Sequence, residues 1–263
     1  MKPIEIFDSG RERAEQILKL HELLCNRRQR GTRQDWAKKF KRMMHWPMGE
    51  MIHRVDGKQA IVVLRGGAAL KPADFREDTL GELLREALVG IVSALDRYCH
   101  DLIVSRIVAE LGRSEKKINR ELRQLSIPIL SVKAAIRHAA LRRGKGGRVR
   151  TRPMNIVRHA VQDVLYQQSF QGADDIVRGL RMVGIENLWN DCGNQMQCRP
   201  HEIIRTLNRI VDRRNEIVHE GDLKRTKRGG KLTLHAISRS QVQQDVNWVS
   251  SLVRSIESVV NRT

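Results

Sequence analysis

The sequence predicts an all-α protein, an up-and-down helical bundle with a small N-terminal α/β-hairpin appendage, and three observations carry that reading. Apolar residues recur at three- and four-residue steps from Asp78 almost to the C-terminus, the period of a helix with one buried face. Of the 263 residues 40% are hydrophobic but only 4% are aromatic, so Leu, Ile, Val and Ala must fill the core. That composition suits helix-on-helix packing better than a β-sandwich. A single strand-like stretch breaks the helical pattern: the apolar runs 51–55 and 59–64 flank Asp56-Gly57, a hairpin signal.

Residues 1–75 form the appendage in this reading, of unassigned role, and 76–263 the helical domain. In the appendage, Ser9 is placed to cap a helix carrying Ile17, Leu18, Leu20, Leu23 and Leu24. A second short helix covers 34–44 and stops before Pro47, and Gly66-Gly67 closes the hairpin. In the helical domain, Leu80, Leu84, Leu88, Ile91, Leu95, Leu102, Ile107 and Leu111 predict one long helix that Gly112 ends. Shorter helices are expected at 114–125 and 128–141. Residues 142–153 are rich in Arg, Lys and Gly, Arg148 and Arg150 among them, and read as an exposed basic loop. Ile156, Val157, Ala160, Val161, Val164 and Leu165 mark the next helix. Another spans 174–183 and ends near Gly184, after which Leu188-Trp189 packs back on the core. Pro200 stands where a first-turn proline belongs, and Ile203, Ile204, Leu207, Ile210, Val211, Ile217 and Val218 form the stripe of the helix it opens. A second basic loop holds Lys224, Arg225, Lys227 and Arg228. Val242, Val246, Val249, Leu252, Val253, Ile256 and Val259 make the last helix.

Charge speaks to partners rather than to fold. A net charge of +19 and a pI near 10.6 favour polyanions, of which nucleic acid is the commonest. Each basic loop reads equally as a solvated charge run. Cys25, Cys99, Cys192 and Cys198 include no close Cys-x-x-Cys pair, and the N-terminus lacks an apolar secretory core. A reducing cytoplasm is therefore the expected compartment. No apolar run approaches the roughly 20 residues that cross a bilayer, so a soluble protein with no membrane partner is expected. Cys192, Cys198 and His201 are loosely spaced and lack a fourth ligand, so no metal is expected.

Chemistry concentrates at the end of the 201–219 helix. The step that should continue its apolar stripe is position 214, an arginine. A guanidinium on a core-facing stripe is costly unless it is paired or opens on a ligand. Asn215 follows it, and His219 lies one turn beyond Asn215. At about 100° per residue, Arg214 and His219 fall on either side of Asn215, so the three could edge one groove. Gly221 is placed to end the helix, which puts His219 in the last turn. There the helix dipole favours the imidazolium while Arg214 opposes it, a balance suited to an acid–base catalyst. A structural reading stays open: Arg214 pairs with Glu216, Asp212 or an acid on another helix, and His219 is a capping histidine. Asp96 and His100, one turn apart on the long helix, form a local ion pair or face the same cleft as accessory groups.

Arg214-Asn215-x-x-x-His219 resembles the Arg-x4-6-His signature of the HEPN superfamily, including the polar residue after the arginine. The segment 211–221 is similar to the motif helix of HEPN proteins from prokaryotic conflict systems, 94–102 to their first long helix, and 177–189 to the stretch ahead of the motif. The resemblance covers about 80–260. It implies an endoribonuclease that works without metal or cofactor, in which an RNA 2′-hydroxyl attacks the adjacent phosphate. His219 would then transfer protons, Arg214 stabilise charge on the phosphorane, and Asn215 orient His219 or a phosphate oxygen. It also implies a homodimer that brings two motifs into one cleft, acting as a toxin or antiviral effector. Lys224, Arg225, Lys227, Arg228, Arg148 and Arg150 would hold RNA phosphates without reading bases. Other HEPN-like bundles bind nucleic acid or protein without cutting, and that alternative is kept. Toxins of this kind controlled by an antitoxin often carry a tyrosine two residues after the histidine, where this chain has Gly221. A regulatory partner is still expected, because a free ribonuclease harms its host.

Overall fold

In the computed structural model, which describes residues 2–25, 32–57, 59–111, 118–133, 136–137, 153–224 and 233–262, the chain opens with helix α1 (Pro3–Leu24). Helix α2 (Gln34–Met43) and the strands β1 (Ile52–Asp56) and β2 (Ile61–Arg65) follow. A 3-10 turn (Pro72–Phe75) leads into α3 (Glu77–Leu111), and α4 (Arg120–Arg123) is a single turn. Then come α5 (Pro153–Leu165), α6 (Ala173–Arg181), α7 (Leu188–Met196), α8 (Pro200–Glu220) and α9 (Arg239–Arg262). The predicted helical bundle with one small hairpin is the fold observed. Gly112, residues 114–117 of the predicted 114–125 helix, the predicted helix end at 138–141 and the basic loop at 142–152 lie outside the described residues.

Helix α3 is the axis. It buries Leu84, Leu88, Ile91, Leu95, Tyr98, Cys99, Ile103 and Ile107 at 1% exposure or less, so nearly its whole length faces other helices. Around it pack α1, α5, α6, α8 and α9. Tyr98 is fully buried, and its hydroxyl donates to Glu257 Oε2 of α9 at 2.8 Å, which satisfies the polar end of the ring. Burial and that bond push the phenol far above its ordinary range.

The first helix departs from the sequence reading. Ser9 does not cap it. The helix begins six residues earlier at Pro3, whose missing N–H costs nothing in a first turn, and the Lys2 N–H donates to Glu5 Oε2 at 2.8 Å. Nor is α1 an appendage. Phe7, Ala14 and Leu18 are buried in the same apolar cluster as α3 and α9. Gly10 makes the contact close: a Cβ there would lie 2.6 Å from Ala94 Cβ. The sequence pattern hid this because Ser9-Gly10 looks like a helix boundary, whereas Gly10 is a seam between two helices.

The hairpin is antiparallel and in the expected place, with Ile52 opposite Arg65 and Asp56 opposite Ile61. Gly57 N–H closes its turn on the Ala60 carbonyl at 2.8 Å. Val55, Leu64 and Phe75 form a second, small core beneath it. The stripe of α8 also ends earlier than expected. Ile203, Leu207, Ile210 and Val211 are buried, Ile217 is partly buried, and Val218 is 45% exposed.

If α1 belongs to the bundle, Leu18→Ala should cost about 2–5 kcal/mol of unfolding free energy, as buried Leu truncations do. Leu20→Ala, at a position 43% exposed, should change it by less than about 0.5 kcal/mol. Urea unfolding of the two variants checks the contrast.

Candidate active site

Helix α8 carries the motif residues. Pro200 opens it at the first turn, and Arg199 N–H donates to Glu202 Oε2 at 2.9 Å, which completes the N-terminus. At the other end Gly221 takes a left-handed conformation with φ of 63°, as the sequence predicts. His219 is therefore in the last turn, where it is exposed.

Arg214 lies on the core-facing side of α8, in line with Ile203, Leu207 and Ile210. It is half-buried because the packed core ends at about this level. Its Nη1 donates to Asn215 Oδ1 at 3.0 Å. Its Nε is buried without a hydrogen-bond partner among the described residues. An unpaired buried donor costs about 1–3 kcal/mol. The pairings with Asp212 or Glu216 that the sequence left open are not made among the described residues. Glu216 instead accepts from Arg213 Nη1 at 2.9 Å. Asn215 thus holds the arginine rather than the histidine. No side-chain hydrogen bond to His219 is present among the described residues.

The sequence missed what fixes this end of α8. Asp222, one residue past Gly221, is 1% exposed and adopts φ of 58°. Aspartate tolerates this region better than most residues. One Asp222 oxygen accepts from Arg85 Nε of α3 at 2.5 Å, and Arg213 of α8 grips both carboxylate oxygens. Arg85 is itself buried, and its Nη2 donates to the His235 carbonyl at 2.8 Å. The main chain joins in: Asp222 N–H donates to the Glu216 carbonyl at 3.0 Å, and His235 N–H donates to the Asp222 carbonyl at 2.9 Å. One carboxylate therefore ties α3, α8 and the strand-like segment around Leu234 together. No local pattern could reveal it, since Arg85 and Asp222 are 137 residues apart.

Other predicted groups fall elsewhere. Asp96 spends its carboxylate on the turn before α6, accepting from Phe170 N–H at 2.6 Å and Gln171 Nε2 at 3.3 Å. His100 Nε2 is 3.8 Å from Asp96 Oδ1, and its ring lies against Phe170 and Tyr166. The local pair is the arrangement observed, with His100 only 6% exposed. Lys224 is exposed, and its N–H bonds the Thr233 carbonyl at 2.8 Å. Arg225, Lys227, Arg228, Arg148 and Arg150 lie outside the described residues. A cavity of about 870 Å³ opens beside α8, lined by Arg205, Arg209, Arg213 and Glu216 with the start of α9. Leu88 of α3 and Val242 of α9 also line it, and Arg214 and His219 are not among its walls.

Among the described residues no group of three His, Cys, Asp or Glu side chains could hold a metal ion. Burial pushes the Cys192 thiol up to about 11, so at neutral pH it is a protonated packing group. No helix among the described residues is long and apolar enough to cross a membrane.

A helical domain with a long axial helix and an Arg-x4-His motif at the end of a second helix defines the HEPN class of bundle. Residues 68–262 match the family described as RiboL-PSP-HEPN, and the chain belongs to it. Comparison with proteins of curated function returns no significant match, and neither does comparison with solved structures.

Asp222→Ala leaves Arg85 buried with only the long, exposed contact to Glu82 at 3.4 Å as a counter-charge, so it should lower stability by about 3–5 kcal/mol. Asp175→Ala, which breaks an exposed pair with Arg178, should cost no more than about 1 kcal/mol. Chemical denaturation of both variants decides whether the buried carboxylate holds the site.

Proposed function

We propose that the protein is a metal-independent endoribonuclease that cuts RNA by attack of a 2′-hydroxyl on the neighbouring phosphate. The observation that carries this reading is Arg214: a half-buried guanidinium at the end of a core stripe, one nitrogen without a partner among the described residues, with an exposed histidine five residues on at the same helix end. Such a donor gains when an anion arrives, and a guanidinium fork suits phosphate oxygens. Membership of a HEPN family supports the same assignment.

Each residue takes one role. His219 transfers the proton, from the 2′-hydroxyl or to the leaving 5′-oxygen. Arg214 neutralises the charge that builds on the non-bridging oxygens. Asn215 holds the guanidinium in position through the bond to Nη1. The exposed Lys224 meets RNA phosphates at the mouth of the site, and Arg225, Lys227 and Arg228 are placed by sequence to extend that contact.

In-line cleavage gains from an acid and a base together, and one chain offers one motif. A two-fold homodimer supplies the second. Val218, Leu223 and Leu234 support this arrangement: all three are exposed apolar side chains close in sequence to His219 or bridged to its turn. A contact between copies would cover them and set two α8 ends face to face. The biological role that fits is a toxin or antiviral effector held silent by a partner. Gly221 bears on that partner, because its φ of 63° would strain any L side chain there. Control by modifying a tyrosine at this place is not available to this chain.

Purified protein should cleave RNA in EDTA. His219→Ala should lose about 10²–10⁴-fold in rate, and Arg214→Ala about 10²–10³-fold, with unfolding curves unchanged. Full activity in a folded His219→Ala protein would sink the assignment. RNA binding by every preparation with no cleavage by any would favour a binding module instead. Val218→Glu should convert the dimer to a monomer by sedimentation and abolish cleavage, while the monomer remains folded.

A further inference from the structure

The family match begins at residue 68, so α2 and the hairpin lie outside it. Their composition is unlike the rest of the chain. Residues 26–71 hold twelve Lys and Arg against three Asp and Glu, an excess of nine out of the chain's nineteen in under a fifth of its length. A tether or a packing element needs no such charge.

The aromatic residues here are also unusual in their use. Trp36, Phe40 and Trp46 belong to neither apolar core. They form a strip with two arginines of the hairpin. Arg54 lies over Trp36 at 4.9 Å, Trp36 stacks on Phe40 at 4.9 Å, Phe40 meets Trp46 edge-on at 5.6 Å, and Arg65 lies over Trp46 at 5.0 Å. Lys41 clamps the following turn, donating to the Met48 and Glu50 carbonyls at 2.6 and 2.7 Å. The strip thereby fastens α2 to the strands, and four cations of the unit stay outside: Arg33, Lys38, Lys39 and Arg42 are exposed and make no ion pair among the described residues. Next to the strip is a cavity of about 790 Å³ lined by Thr32, Arg33, Asp35, Trp36, Lys39, Arg54 and Asp56. Asp56 is occupied by Arg54 at 2.6 Å. The walls stay net positive.

The geometry points to a second nucleic-acid site: the α2–hairpin unit grips single-stranded RNA, with Arg33 and Lys39 on phosphates and an unstacked base against the Arg54 guanidinium and the edge of Trp36. A concave pocket lined by a tryptophan and a guanidinium, with further cations in its lining, takes a splayed base, which a duplex does not offer. A flat anionic membrane would engage the lysines but leave the pocket empty. RNA as the strand rests on the cleavage reading above; the binding site itself does not.

The test uses the full chain carrying His219→Ala, so that cutting does not confound binding. The probe is a fluorescent 20-nucleotide oligo(U). Adding Arg33→Glu and Lys39→Glu should weaken its binding tenfold or more at 100 mM salt. Neutral Arg33→Gln and Lys39→Gln should weaken it less and should lower the salt slope by about 1.4, as two lost phosphate contacts require. Lys19→Glu with Lys133→Glu, the same change in net charge elsewhere, should weaken it less than threefold. Equal losses in the two charge-reversed proteins would overturn the site. So would an unchanged affinity in the first, or a loss on blunt duplex RNA as large as on oligo(U). Binding of the parent to vesicles of phosphatidylcholine with phosphatidylserine, abolished by Arg33→Glu with Lys39→Glu while oligo(U) affinity holds, would overturn it in favour of a membrane. If wild-type protein cleaves nothing yet oligo(U) binding follows the predicted pattern, the cleavage reading fails and this site stands.

Discussion

Asp222 is almost wholly excluded from solvent, and its carboxyl group sits between two arginines. A buried carboxylate is tolerated only when its lone pairs are filled and its charge is matched. Arg85 and Arg213 do both, and the main chain of 216, 222 and 235 completes the arrangement. The consequence is mechanical. The end of α8 cannot slide along α3 without leaving a charge unpaired in the interior, so the turn that carries His219 has one position. Because Gly221 and Asp222 both hold left-handed backbone, the chain leaves the helix at once and the last turn stays open to solvent.

That rigidity gives the motif its chemical meaning. Along α8 the apolar stripe runs Ile203, Leu207, Ile210 and then Arg214, so a packing surface becomes a cationic one within a turn. The arginine is close enough to the core to be held and far enough from it to reach a ligand. Asn215 uses its carbonyl to aim the guanidinium. His219 stands free at the rim. A phosphodiester laid across this end would meet a fixed positive charge and a mobile proton, which are the two things that in-line attack by a neighbouring hydroxyl requires.

Local pattern carried much of this. The period of α3, the Asp56-Gly57 hairpin, Pro200 at the start of α8 and Gly221 at its end were all readable, because each depends on residues within a few positions of one another. Position 214 stood out for the same reason, as a charge where the stripe demanded an apolar group. Contacts between distant segments were not readable. Gly10 looks like a helix breaker and is a contact with Ala94. Val218 fits the helical stripe and is exposed, since nothing in a period says where the neighbouring helix stops. Arg85 and Asp222 look like two surface charges until the fold brings them together. Asp96 likewise resembled a member of the cleft and serves as an acceptor for the Phe170 N–H.

In the proposed reaction the nucleophile is the RNA's own 2′-hydroxyl, driven by Arg214 and His219. Mapping the ends of the cleaved strands tests it most directly. The account predicts 2′,3′-cyclic phosphate on one fragment and a 5′-hydroxyl on the other, with no cut where the scissile nucleotide carries a 2′-deoxy sugar. Fragments ending in 3′-hydroxyl and 5′-phosphate, or continued cutting at the deoxy position, would contradict it.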